Sequence, residues 1–310
     1  MVFALASLLL FSSALSTVWG LPALARRATG TGATINDLLP VPNLDGLKKW
    51  TTVVGAQDAL PVSDQTLNTD KTSDHEYGPA PDGVQALQAF YRQGSFKPSG
   101  PIRGGFGFYA KGPEDVDLTT AKEALFGYSV MFPKDFEPVK GGKLPGLYGG
   151  DNEEVARGCS GGRRDTRCFS MRLMWRTNLQ GELYTYLPDP ANAAFKANAA
   201  MCDLPNSHCN PTFGNSLERG AFSFTPGQWT TVSERVKLNT VGQSDGELEL
   251  FVGGKSVIKV ENLAIRDSNE GRIRGMQMET FFGGSDDTWA TPKSQTVFFA
   301  DMSVAILQKL

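Results

Sequence analysis

Lys143, Ser170, Arg172, Tyr184 and Tyr186 are the side chains whose types and spacing suit chemistry on a substrate that carries carboxylates. Removing a proton next to a carboxylate is hard because the carbanion is unstable, so the carboxylate must be neutralised for charge to spread into it. Arg172 has a planar fork of donors fit for that task, and Ser170, two residues earlier, offers one more hydrogen bond. A lysine that is desolvated and flanked by another cation is neutral near working pH, and a tyrosine near cations can ionise. Either Lys143 or a tyrosine could take the proton while the other protonates the leaving oxygen, and the residue types leave that choice open. Each side chain also has a plainer reading: Lys143 as a surface turn residue before Leu144-Pro145-Gly146, the tyrosines as cross-strand aromatics, Arg172 as an ion-pair partner of Glu182. What favours chemistry is that the elements carrying these residues would turn most of them to one face.

Those elements read as strands. In Phe169–Arg176 the residues Phe169, Met171, Leu173 and Trp175 point one way and Ser170, Arg172, Met174 and Arg176 the other. After a turn at Thr177–Gly181, Glu182, Tyr184 and Tyr186 alternate with Leu183, Thr185 and Leu187. A hairpin symmetric about Leu179 would set Arg172 opposite Tyr186 and Met174 opposite Tyr184, and a slip by one residue would undo it. Further alternating runs are Ala124–Phe132, apolar on both faces and so central, Trp229–Leu238, Glu247–Val252 joined to Ser256–Val260 by Gly253-Gly254-Lys255, Gly275–Phe282 and Thr296–Leu307. Residues 28–100 are rich in Thr, Asp, Pro and Gly and read as loops, one short helix near Val84–Tyr91 and a first strand. The fold class expected is all-β, a β-jelly-roll sandwich of two antiparallel sheets, with residues 101–310 as the main domain and 26–100 packing on it.

The N-terminus reads as a secretory signal peptide: an apolar run from Val2 to Leu15, then small residues, with cleavage expected after Gly20 or Ala25. Export would place Cys159, Cys168, Cys202 and Cys209 in an oxidising compartment, where the economical pairing is Cys159 with Cys168 and Cys202 with Cys209. A zinc site using His208 beside Cys209 is the sharper alternative, although no C-x-x-C pair is present. The net charge of −3 argues against nucleic acid as a partner, and no later apolar stretch is long enough for a transmembrane helix. A glycosidase would need facing carboxylates, for which Glu182 and Glu279 are the strand-borne candidates. A serine hydrolase has only His75 and His208 to draw on and no G-x-S-x-G elbow.

The stretch Gly141-Gly142-Lys143-Leu144-Pro145-Gly146-Leu147-Tyr148-Gly149-Gly150, the strand Phe169-Ser170-Met171-Arg172, the Tyr184-Thr185-Tyr186 pair and the later Glu279-Thr280-Phe281-Phe282-Gly283-Gly284 resemble polysaccharide lyase family 14. The likeness covers Pro101 to the C-terminus and implies a jelly roll whose cleft holds the polymer, in a secreted enzyme of the fungal type. It implies elimination within a polyuronate such as glucuronan or alginate, with Lys143, Ser170, Arg172, Tyr184 and Tyr186 as the catalytic set. This chain departs from the pattern between the lysine and the serine, where the Cys159–Cys168 loop adds residues and bears on cleft shape. Arg103, Gln277, Glu279 and Trp289 are candidates for substrate binding outside that set, whereas Asp286 and Asp287 read as a solvated turn and Trp289 also as a core or rim residue. No metal or organic cofactor is expected; the expected partner is an acidic polysaccharide, with no nucleic acid or membrane, and the chain is expected to be a monomer. The rival readings are a lectin-like sandwich that binds acidic glycans without cleaving them, and a glycoside hydrolase.

Overall fold

The computed structural model describes Met1, residues 29–69 and residues 75–310, so the expected signal peptide and its cleavage sites lie outside the described residues. Among the described residues no helix is long and apolar enough to cross a membrane.

The strands in chain order are β1 (Lys48–Thr51), β2 (Glu76–Pro79), β3 (Gln85–Tyr91), β4 (Phe106–Ala110), β5 (Ala121–Met131), β6 (Gly141–Gly150), β7 (Cys168–Arg176), β8 (Gln180–Tyr186), β9 (Asn215–Ser223), β10 (Trp229–Lys237), β11 (Gly246–Val252), β12 (Lys255–Leu263), β13 (Arg272–Phe282) and β14 (Gln295–Lys309). They form two antiparallel sheets, a larger one ordered β12-β11-β10-β5-β14-β3-β2 with β1 also paired to β14, and a smaller one ordered β4-β13-β6-β7-β8-β9. This is the expected all-β jelly-roll sandwich. Between the sheets lies one main apolar core, to which β7 contributes Phe169, Met171, Leu173 and Trp175, and β5 contributes Phe126, Tyr128 and Val130. β5 is central, as its two apolar faces require: β10 flanks it on one side and β14 on the other.

Val84–Tyr91 is not a helix. Gln85–Tyr91 is strand β3, paired with β14, and its Leu87, Ala89 and Tyr91 are buried while Gln85 and Phe90 are exposed. Alanine and leucine favour helix locally, but pairing with a fifteen-residue strand buries that alternating face, and tertiary context overrides so small a propensity. β14 itself contains a bulge between Ala300 and Ser303, so that its core positions change from Val297 and Phe299 to Met302, Val304 and Ile306.

The β7–β8 hairpin turns one residue earlier than expected. Ser170 faces Tyr186, Arg172 faces Tyr184 and Met174 faces Glu182, a register centred on Asn178. Asn178 and Leu179 make the reversal with φ of 58° and 56°. The slip from the expected pairing is two residues, so face parity survives. The disulfides join Cys159 to Cys168 and Cys202 to Cys209, and among the described residues no cluster suited to a metal ion occurs.

Candidate active site

Core-facing Leu144, Leu173, Leu183 and Met278 leave the alternate positions of β6, β7, β8 and β13 on the outer face of the smaller sheet. That face carries Lys143, Ser170, Arg172, Met174, Arg176, Glu182, Tyr184, Tyr186, Gln277 and Glu279. All five residues of the expected catalytic set therefore share one surface.

Lys143 is not in a surface turn but inside β6, with Met174 and Phe281 as its cross-strand neighbours. Its Nζ lies 3.9 Å from the centre of the Tyr184 ring and 2.9 Å from the sulfur of Met174. Burial, then the charges of Arg176 and Arg172, hold the amine well below the usual lysine range, and Glu182 and Glu279 only partly offset this. Its resting form is thus shifted toward the neutral amine.

Arg172 is buried, and its Nη1 donates to Oε2 of Glu279. The ion pair with Glu182, the plainer reading of Arg172, does not form. Glu182 is fully buried instead and is held by Arg176, Arg219 and the Ser216 hydroxyl. Glu279 also accepts from the Gln277 amide at 3.0 Å, so of the residues expected to bind substrate Gln277 and Glu279 stand at the centre of the site. Since Glu182 is enclosed and both acids are engaged by arginines, they do not form the pair flanking an open cleft that glycoside hydrolysis needs.

Arg172 reaches β13 because the strand between them is irregular. β6 has a bulge at Pro145-Gly146, where a proline is tolerated because no ladder bond is lost. A Cβ on Gly146 would come within 2.0 Å of the Met171 carbonyl oxygen and 2.7 Å of the Arg172 Cα, so only glycine fits there. The backbone groups freed by the bulge are satisfied from the larger sheet: the Tyr128 hydroxyl donates to the Pro145 carbonyl at 3.1 Å, and the Leu147 N–H donates to the Glu234 carboxyl at 2.8 Å. Burial pushes the Glu234 carboxyl well above the usual range.

The tyrosines are held at their oxygens. Tyr184 accepts from the Gly214 N–H at 3.0 Å and Tyr186 from the Gly162 N–H at 2.9 Å, and their ring centres are 5.8 Å apart. Burial, followed by the neighbouring Tyr186, raises the pKa of Tyr184, against the opposing pull of Arg172 and the Gly214 N–H. Tyr184 therefore keeps its proton. Gly162 belongs to the Cys159–Cys168 loop and Gly214 follows the Cys202–Cys209 loop. Arg164 ties the two together by donating to the carbonyls of Asn210 and Phe213 and to the Asn215 side chain. Ser170 does not face open space either: its hydroxyl donates to the Cys159 carbonyl at 2.8 Å, fastening the first loop to β7.

Two substrate-binding candidates lie away from this group. Trp289 sits on a short turn packed against Gly284, with the Lys140 ammonium 5.9 Å from its ring, and Asp286 caps that exposed turn. Arg103 is exposed on the loop before β4. Arg176 and Met174, which complete the surroundings of Lys143, were legible from parity along β7, whereas Arg164, Gly162 and Gly214 lie in loops that carry no periodic signal.

The sequence model of the family described as Polysaccharide lyase 14 matches residues 79–302. Among solved structures, the marine PL-14 alginate lyase from Aplysia kurodai is similar with 29% identity and a TM-score of 0.66, over 90% of this chain and 96% of that one. The alginate lyase vAL-1 from Chlorella virus is 23% identical with a TM-score of 0.62, over 78% of this chain and 93% of that one, and shares the fold. No curated protein matches the sequence.

Proposed function

Because this chain belongs to the polysaccharide lyase 14 family, a match that spans residues 79–302, we propose that it cleaves a polyuronate of the alginate or glucuronan kind by β-elimination. The observation that carries this reading is Lys143, an amine depressed toward neutrality by burial and two arginines and set against the Tyr184 ring. A neutral amine at that position is a base for the proton at C5 of a uronate. Tyr184, kept protonated, is the matching acid for the leaving glycosidic oxygen, with Tyr186 beside it. The electron pair left at C5 forms the C4–C5 double bond as the C4–O bond breaks, so the new non-reducing end is a 4,5-unsaturated uronate. The Arg172 fork supplies the positive charge that lets the sugar carboxylate take up electron density in the transition state, sharing that charge with Glu279. Ser170 acts through the loop it fastens.

The two disulfides and the apolar N-terminal run support secretion, and the protein is proposed to act as an extracellular monomer on acidic polysaccharide. The test is to mix the protein separately with polymannuronate, polyguluronate and glucuronan and to follow ultraviolet absorbance of the conjugated product. A rise with one of them identifies elimination and the substrate. Binding to all with no rise, or release of saturated sugars, would overturn the proposal.

A further inference from the structure

At the edge of the sandwich nearest Lys143, a groove of about 980 Å³ runs from the outer face of the larger sheet, at Phe90 and Thr296, round to the outer face of the smaller one, at Gly107 and Phe281. Phe281 is the cross-strand partner of Lys143, and Gly107 is the partner of Glu279, so the groove begins where the site described above ends. Its wall is the loop between β3 and β4, which contributes Arg92 and Arg103.

Both arginines are exposed, and neither guanidinium has a hydrogen-bond or ion-pair partner among the described residues. Nearly every other arginine on this side of the molecule is engaged: Arg172 by Glu279, Arg176 by Glu182, Arg164 by backbone carbonyls. The loop that carries them is nonetheless firmly held. Gly105 donates to the Phe90 carbonyl, Gly94 to the Thr291 carbonyl, and Thr291 back to that of Ser95. Gly105 has φ of +78°, and a Cβ there would fall 1.8 Å from the Thr280 carbonyl oxygen, so the loop lies directly on β13. A fixed backbone thus presents two uncommitted guanidinium groups beside two aromatic faces, Phe90, which is 49% exposed, and Phe281. Among the described lining residues Glu76 is acidic, and Arg92 and Arg103 outnumber it.

Planar guanidinium forks match carboxylates, and aromatic faces accept the apolar faces of sugar rings. We propose that this groove is an extension of the Lys143 site that holds additional uronate units of the same polymer, Arg92 and Arg103 pairing with their carboxylates while Phe90 and Phe281 pack against the rings. The proposal rests on the polyuronate reading. It makes the enzyme favour long chains, since only they reach from Lys143 into the groove.

The test compares the wild-type chain with an Arg92→Glu/Arg103→Glu variant on a series of oligouronates of increasing length and on the polymer. The expected result is that the ratio of kcat/KM on polymer to kcat/KM on the shortest cleaved oligomer falls at least about fivefold, the effect of losing two exposed charge pairs. A ratio equal to that of the wild type overturns the proposal. Calorimetric titration of long oligouronates into a Lys143→Ala background separates the two readings. If the wild type cleaves no polyuronate, the enzymatic reading fails. Weaker binding on adding the charge reversals still supports the groove, and unchanged binding overturns it.

Discussion

Arg172 and Glu279, 107 residues apart in the chain, are ion-paired across a strand that lies between their own. The pairing depends on a bulge whose only side-chain-free position, Gly146, lets the arginine pass over β6. It also means that the Arg172 charge, proposed above to meet the substrate carboxylate, is not loose in the resting protein but balanced by a resident carboxylate. Because Arg172 is buried and 20% of the Glu279 side chain is exposed, removing the acid strands a buried cation.

Glu279→Ala is accordingly expected to lower stability by about 3 kcal/mol, the usual cost of breaking one side of a buried pair. Urea unfolding monitored by tryptophan fluorescence measures it. An unchanged midpoint would show that Arg172 finds another partner without cost.

Lys143→Ala is expected to fold normally and lose activity by at least about a hundredfold, and Lys143→Arg not to restore it, because a guanidinium does not become neutral. Activity of the wild type should rise with pH through the depressed value of Lys143. The same depression has a sign for stability: between that value and the unfolded lysine value of 10.5, the unfolded chain binds the extra proton. The lysine thus penalises the fold as pH falls through this window and is without effect above it. Lys143→Met should be more stable than wild type at neutral pH, with the gain vanishing above the unfolded value, as thermal unfolding at several pH values would reveal.

Tyr184→Phe and Tyr186→Phe separate the two phenols. With Tyr184 as the acid, its loss should reduce kcat by about a hundredfold or more, while loss of the Tyr186 hydroxyl should act mainly by freeing the Gly162 N–H and its loop. Equal losses with equal pH profiles would count against assigning the acid to Tyr184.

Replacing Cys159 and Cys168 together by serine opens a loop with a sequence separation of 9, worth about 2–3 kcal/mol on the chain-entropy scale. The loop also receives the Ser170 hydroxyl and supplies the N–H held by Tyr186, so kcat should fall as well. The Cys202–Cys209 pair, farther from Ser170, should cost similar stability and less kcat; steady-state kinetics of the two double variants decides this.

Tyr128→Phe removes the donor to the Pro145 carbonyl and should destabilise by about 1–3 kcal/mol, whereas Glu234→Gln keeps an acceptor for Leu147 and should be nearly neutral. If Tyr128→Phe also lowers activity, the larger sheet supports the site through the bulge; full activity would confine its role to stability.

What the sequence by itself determined was parity. Arg172, Met174 and Arg176, and likewise Glu182, Tyr184 and Tyr186, share a face because side chains alternate along any strand, a property of neighbouring backbone units. That is why the expected hairpin, wrong by two residues in register, still brought the arginine and tyrosines together, and why Cys159 with Cys168 could be paired from proximity in the chain. Only the tertiary structure decided that Arg172 takes Glu279 rather than Glu182, since partner choice depends on strand order and on a bulge braced from the opposite sheet. Only it decided that Gln85–Tyr91 is a strand, because β14 provides the partner that outweighs local helix preference. The N–H groups over the tyrosines and the arginine-lined groove belong to loops, and their positions follow from long-range anchors that no local period encodes.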